Sequence, residues 1–421
     1  MLRDKSMSGG THHLAHLLVY CALAALTGCA SLPSEIPIGA PGEIALPEAS
    51  FGVRTQTSDG QFELLPSSVI AQRLQSRLGD APLSILALSA GGAGGAFGAG
   101  AIVGLSHSDP RSDFSVVTGV SAGALVAPFA FLGPAWDPQV TAIFTQGESE
   151  RLLQRRLFGA LFGSSIYSGI PLSRLIERYV DDSMIEAVAA EALKGRLLLV
   201  ATTDLATGDP VLWDLGSIAR YGGRDAKPLF RLILLASASV PGMLPPVTIR
   251  FRAGGRMHEE THVDGAVTLP FFIAPTPEDL PQSSGATPTV VRVVIDSRLR
   301  DLPRTTRAHS VAIFSRGVSA GLSRMMRTTL ESAVVAARQR GISLDYAAIP
   351  VSYPLKGAFD FGQDAQRSLF QYAATCAEAG RLWTRSQQSG DASVAEHPST
   401  ATGAQCPADD SFIGRFAALE N

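Results

Sequence analysis

Cysteine is scarce, with four in 421 residues. That excludes a disulfide scaffold, the device of small secreted domains whose cores are thin. Charge is scarce as well: 17% of residues are charged, 35 basic against 38 acidic, for a net of −3. A near-neutral balance argues against nucleic acid as a partner, because neutralising phosphates takes a basic surface. The 41 glycines and 26 prolines follow no three-residue period, which excludes a collagen-like chain. With 46% hydrophobic residues the chain is too apolar for intrinsic disorder. What remains is a large globular protein able to bury a substantial core.

The N-terminus has the pattern of a secretory signal peptide. Arg3 and Lys5 open it, and Leu17–Leu26 is an uncharged apolar run. Such a run suits a signal core and falls short of the roughly 20 residues a spanning helix needs. It leads into Leu26-Thr27-Gly28-Cys29, which resembles the lipobox of bacterial lipoproteins. The resemblance implies cleavage before Cys29, lipidation of its thiol and a membrane anchor in the cell envelope. Ala30 and Ser31 lack the aspartate that the lipoprotein class associates with inner-membrane retention, so the implied site is the outer membrane, facing the periplasm. Cys376 and Cys406 would then sit in an oxidising compartment, where they could pair; sequence does not set their separation.

Four segments follow from this reading: a signal peptide at 1–28, a tether and extension at 29–82, a catalytic domain at 83–388 and a polar, loose tail at 389–421. The tether carries scattered prolines and one helical pattern at 67–78. Within the domain, LSILALS (83–89), FSVVTGV (114–120) and RLLLVATTD (196–204) read as strands buried on both faces. VTIRFRA (247–253), MHEETHVD (257–264), TVVRVVID (289–296) and SLDYAAIP (343–350) read as further strands. Helical patterns fill 138–194, about 307–340 and 363–388. Strands separated by helices predict an α/β fold with a mainly parallel central sheet covered on both sides.

Gly119-Val120-Ser121-Ala122-Gly123 matches G-x-S-x-G. This motif makes a strained strand-to-helix turn that exposes the serine oxygen. Alone it is weak: in a chain with 41 glycines, chance supplies roughly 0.4 matches. Gly317-Val318-Ser319-Ala320-Gly321 repeats the same five letters. Ser121 follows a β-branched apolar strand and precedes an apolar helix, the setting an elbow needs. Ser319 has helical periodicity on both sides, so 317–321 reads as a small-residue stretch on a packed helix.

Between strand 83–89 and the next helix lies Ser89-Ala90-Gly91-Gly92-Ala93-Gly94-Gly95. No register supplies the glycine spacing of a dinucleotide fingerprint, since the third site falls on Phe97 or Val103. Consecutive amides at a helix N-terminus can instead hold a developing oxyanion. Gly91 and Ser121 are one strand–helix–strand unit apart, so both loops should emerge at the same carboxyl edge of the sheet.

A serine nucleophile needs a proton acceptor. Asp264, followed by Gly265 and Ala266, ends a predicted strand and can turn tightly toward Ser121. The usual elbow order of Ser, Asp, His would require a histidine after Asp264; only His309 and His397 follow, one opening a helix and one in the tail. His258, Glu260, His262 and Asp264 alternate along the strand and would share one face. A metal site is one reading of them, but side chains two apart lie about 6.6 Å along the strand, awkward for a single ion. No metal or other cofactor is implied.

Glycine loop, elbow and Asp-Gly-Ala, in this order, resemble the patatin-like phospholipases. The resemblance covers about 83–385 and includes ILLASASVPGMLPPV (233–247) and FDFGQDAQRSLFQYA (359–373). It implies a three-layer α/β/α fold and a Ser–Asp catalytic dyad without histidine. Ser121 would be the nucleophile, Asp264 the base, and the amides of Gly91, Gly92 and Ala93 the oxyanion hole. The implied activity is a membrane-anchored hydrolase degrading lipid esters; the alternative is a non-catalytic lipid- or partner-binding lipoprotein of the same fold. Two positions depart from the family pattern. Ala90 replaces the first loop glycine, and Gly94 stands where the family commonly has a cation. Oligomeric state is not legible.

Overall fold

The computed structural model describes residues 83–108, 113–152, 165–221, 223–253, 256–280, 289–300, 310–355, 357–385 and 404–409. Short pieces at 44–45, 54–56, 62–64, 70–71, 74, 303, 305–306 and 308 are described as well. The signal segment 1–28, Cys29, His309 and His397 lie outside the described residues.

A ten-stranded sheet organises these residues. β1 (Ile44–Ala45) belongs to it, whereas β2 (Arg54–Gln56) and β3 (Phe62–Leu64) form a separate antiparallel pair. The centre is parallel: β4 (Leu83–Leu88), β5 (Val116–Val120), β6 (Leu197–Asp204), β10 (Thr289–Ile295) and β11 (Ser343–Ala348), in the spatial order β6-β5-β4-β10-β11. Beyond β6 the sheet turns antiparallel, with β7 (Pro210–Asp214), β9 (Arg256–Asp264) and β8 (Val247–Ala253), to which β1 adds in parallel. β12 (Thr384–Arg385) closes the far side against β11. The central strands are continuous apolar runs because both faces are covered. Each expected strand begins and ends within two residues of the observed one.

Alternation splits every central strand between two cores. Leu86, Leu88, Val117, Leu198 and Val200 face one; Ile85, Ala87, Val116, Leu199 and Ala201 face the other. The first is roofed by α1 (Gly95–Ser108), α2 (Ala122–Leu132), α3 (Asp137–Thr145), α4 (Ile170–Tyr179), α5 (Asp182–Leu193), α6 (Leu215–Tyr221), α7 (Ala226–Ser237) and α9 (Gln363–Glu378). The second is covered by the C-terminal half of α8 (Ser310–Gln339), through Met326, Leu330, Ala333 and Ala337, with Phe271 and Leu280. Three layers result, an α/β/α arrangement with a mostly parallel sheet.

Three differences have local causes. α9 stops at Glu378, ten residues short of the expected end, because Gly380 turns left-handed (φ 68°) and Arg381 N–H returns to Cys376 O at 2.8 Å. Residues 404–409 of the expected tail are held, because Cys406 is disulfide-bonded to Cys376 of α9 with Cα atoms 5.6 Å apart. The 317–321 stretch is helical within α8 but not packed: Gly317, Val318, Ala320 and Gly321 are exposed.

Candidate active site

β5 is parallel to β6 and pairs Val120 with Ala201 as its last step. At Ser121 the chain leaves the sheet. β9 then arrives from the opposite direction on the side β5 has vacated, and pairs Asp264 with Thr202, the next residue of β6. Two strand ends therefore meet head to head along one edge of β6, about 3.3 Å apart in register. That juxtaposition brings together residues 143 apart in sequence.

Ser121 is the one non-glycine residue with positive φ among those described, at φ 54° and ψ −119°. Its strain is held from several sides. Its N–H donates to Ser237 Oγ at 3.0 Å, and that hydroxyl donates to Ala201 O at 2.7 Å. Gly123 N–H donates to Ser89 O at 3.1 Å, locking the first turn of α2 onto the end of β4. A Cβ at 123 would lie 2.5 Å from Leu88 O, so only glycine permits this approach.

The Ser121 hydroxyl donates to Asp264 Oδ2 at 2.6 Å. Asp264 Oδ1 accepts from Ala266 N–H at 2.8 Å, and Asp264 N–H donates to Ser239 O at 2.9 Å. The carboxyl is 1% exposed. Burial raises its pKa from 3.8 to about 7, against the opposing pull of the Ser121 and Ala266 hydrogen bonds. A carboxylate of that basicity can accept a proton near neutral pH. Ser237 and Ser239, which fix the serine and the aspartate, were not singled out from the sequence. Their one signal is the pair of small hydroxyls in Ala236-Ser237-Ala238-Ser239 just before the turn.

The glycine loop abuts this pair, since a Cβ at Gly95 would lie 2.9 Å from Ala122 Cβ. Gly92 is left-handed (φ 57°) and opens a short turn leading into α1. The amides of Gly91 and Gly92 have no partner among the described residues. Ala93 does not keep the role expected of it. Its N–H donates to Ala358 O at 2.7 Å and is committed there. Gly94 N–H donates to Gly91 O at 3.0 Å, and a Cβ at 94 would lie 1.8 Å from Asp296 O. No cationic side chain fits at 94 in this backbone. Asp296 is fully buried against the loop, and burial pushes its carboxyl well above the usual range.

The alternating His/Glu/Asp strand is divided among different tasks. His262 is fully buried, with Nδ1 3.0 Å from Thr202 Oγ1 and Nε2 3.1 Å from Glu260 Oε2. The same Thr202 hydroxyl accepts from Trp213 Nε1 at 2.8 Å, and the indole stands edge-on to the imidazole at 5.5 Å. Asp264 belongs to Ser121 instead. The side chain of His258 lies outside the described residues. Ser319 lies within α8 and has no carboxylate partner among the described residues.

Residues 86–275 match the family model described as patatin-like phospholipase. Among solved structures, VipD from Legionella pneumophila is similar at 10% identity, covering 84% of this chain and 73% of that one, with a TM-score of 0.26. No curated protein matches the chain. The family match supports a lipid hydrolase.

Proposed function

We propose that this chain, which carries a patatin-like phospholipase domain over residues 86–275, is a serine acyl hydrolase of phospholipase or lysophospholipase type working through a Ser121–Asp264 dyad. The observation that carries the reading is the 2.6 Å hydrogen bond from a strained, buried serine to a carboxyl whose pKa burial has lifted to about 7. Ser121 Oγ attacks the ester carbonyl while its proton passes to Asp264 Oδ2. The tetrahedral oxyanion faces the Gly91 and Gly92 amides and the positive ends of α1 and α2. The C–O bond to the alcohol breaks, Asp264 returns the proton to the leaving oxygen, and an acyl-Ser121 ester remains. Water then attacks that ester, with Asp264 again taking the proton, and releases the fatty acid.

The mature chain is anchored through lipidated Cys29 and faces the periplasm, at the outer membrane. The lipobox supports this, and so does the Cys376–Cys406 bond, because disulfides persist in oxidising compartments. A fluorophosphonate probe followed by peptide mapping tests the reading. The adduct is expected on Ser121; an adduct on Ser319, or none on folded protein, overturns it.

A further inference from the structure

One polar side chain interrupts the apolar face that α9 turns to the core. Leu369, Phe370, Ala373, Cys376 and Ala377 recur at helical spacing and are buried. The same stripe begins with Gln366 in the first turn, and that side chain is 2% exposed. An amide buried in such company is costly unless it is hydrogen-bonded. Here Gln366 Nε2 donates to Ala93 O at 2.8 Å and to Asp360 O at 3.3 Å. Both partners are carbonyls, which only accept, so the nitrogen rather than the oxygen of the amide must face them.

These two contacts tie the segment before α9 to the glycine loop. Ala358 O holds the Ala93 N–H at 2.7 Å, and a Cβ at Gly92 would lie 2.3 Å from that same oxygen. Ala93 is therefore gripped at both its N–H and its carbonyl, by residues remote in sequence. Upstream, Ala90 N–H donates to Pro270 O at 2.8 Å. Between these fixed points stand Gly91 and Gly92, adjacent glycines with the least intrinsic backbone restraint. Where their amides point is set by the anchors on either side, and an oxyanion hole works only if its donors are aimed in advance.

We propose that Gln366 is a positioning residue of the oxyanion hole: by fixing Ala93 and the segment packed on it, Gln366 aims the Gly91 and Gly92 amides at the carbonyl that Ser121 attacks. It acts through Ala93 and takes no part in proton transfer. The inference rests on the acyl hydrolase reading.

Full-length Gln366→Met keeps the length of the side chain and removes the donor. On a water-soluble short-chain ester its kcat is expected to fall about 10- to 100-fold with KM within about twofold, because misaimed donors weaken the transition state alone. Inhibition by a trifluoromethyl ketone analogue of that ester, whose serine adduct carries the oxyanion, should weaken by the same factor. Gln366→Asn keeps an amide too short to reach both carbonyls and should show the same split; it carries the test if the Met variant does not fold. Wild-type kcat in a folded variant overturns the proposal, as does a loss confined to KM or one that leaves ketone inhibition unchanged. If wild type neither cleaves the ester nor binds the ketone, the acyl hydrolase reading fails, and the grip on the loop is judged by amide exchange. Gln366→Met should then speed exchange at Ala93 at least about tenfold. Unchanged exchange overturns the grip as well.

Discussion

Residues 119–123 and 317–321 carry the same five letters, Gly-Val-Ser-Ala-Gly, in two unlike settings. In the first, Val120 ends a fully buried strand and Ser121 takes a left-handed φ of 54°. In the second, all five residues continue one helix, and Ser319 is only partly buried. The glycines differ as much as the serines. A Cβ at 123 would strike Leu88 O at 2.5 Å, whereas one at 321 meets nothing within 4 Å. The pentapeptide does not encode an elbow. A strand that must stop, a helix that must start and a neighbouring strand end make it one.

Replacing each serine should break the comparison most widely open. Ser121→Ala is expected to lower ester hydrolysis about 10⁶-fold, the scale seen when a covalent nucleophile is removed. Ser319→Ala should leave kcat/KM within about twofold. Similar losses at both positions would mean that context does not separate them.

Asp264→Asn sharpens the same contrast through pH. Its carboxyl is raised in the folded state from 3.8 to about 7. Below about pH 4 it is protonated folded or unfolded and carries no penalty. Between 4 and 7 the unfolded chain gives up this proton while the folded chain keeps it, so stability falls as pH rises, by up to roughly 4 kcal/mol. Wild-type kcat/KM should rise with pH through about 7 as the base form appears. Asp264→Asn should be inactive, yet lose less stability than wild type between pH 5 and pH 8, read from urea midpoints. An equal pH dependence of stability in both proteins would remove the buried base from the account.

Gly123→Ala comes next in size. The added methyl must displace the end of β4 or the first turn of α2, at a cost of a few kcal/mol by the scale of overpacked cores. Activity should fall with it, because the same turn fixes Ser121. A variant with wild-type Tm and full activity would show that the approach to Leu88 is not tight.

These effects mark what the sequence could and could not say. The parallel centre was legible because LSILALS, FSVVTGV and RLLLVATTD are unbroken apolar runs between helical patterns. β7 was not, because Pro210-Val211-Leu212-Trp213-Asp214 is short and starts with a proline. Order along the chain suggested that the glycine loop and the elbow share an edge. Nothing local could report that β9 runs antiparallel to β6 and stops where β5 has just left, which brings Asp264 to Ser121. The family resemblance puts Ala93 in the oxyanion hole; the Ala358 carbonyl that occupies its amide lies 265 residues away.

The smallest effect tests the second pentapeptide alone. Alanine is a better helix former than glycine by about 1 kcal/mol at an exposed interior position. Gly321 is such a position, with open space where a Cβ would go. No described side chain from 313 to 325 is buried, so this part of α8 can unwind without opening the core below Met326. Gly321→Ala should therefore slow amide exchange over 315–325 about fivefold, the equivalent of 1 kcal/mol, and leave the global urea midpoint and the ester rate unchanged. If the midpoint moved with the exchange rates, the first half of α8 would be part of the cooperative core. If activity fell, the two identical sequences would be linked in function after all.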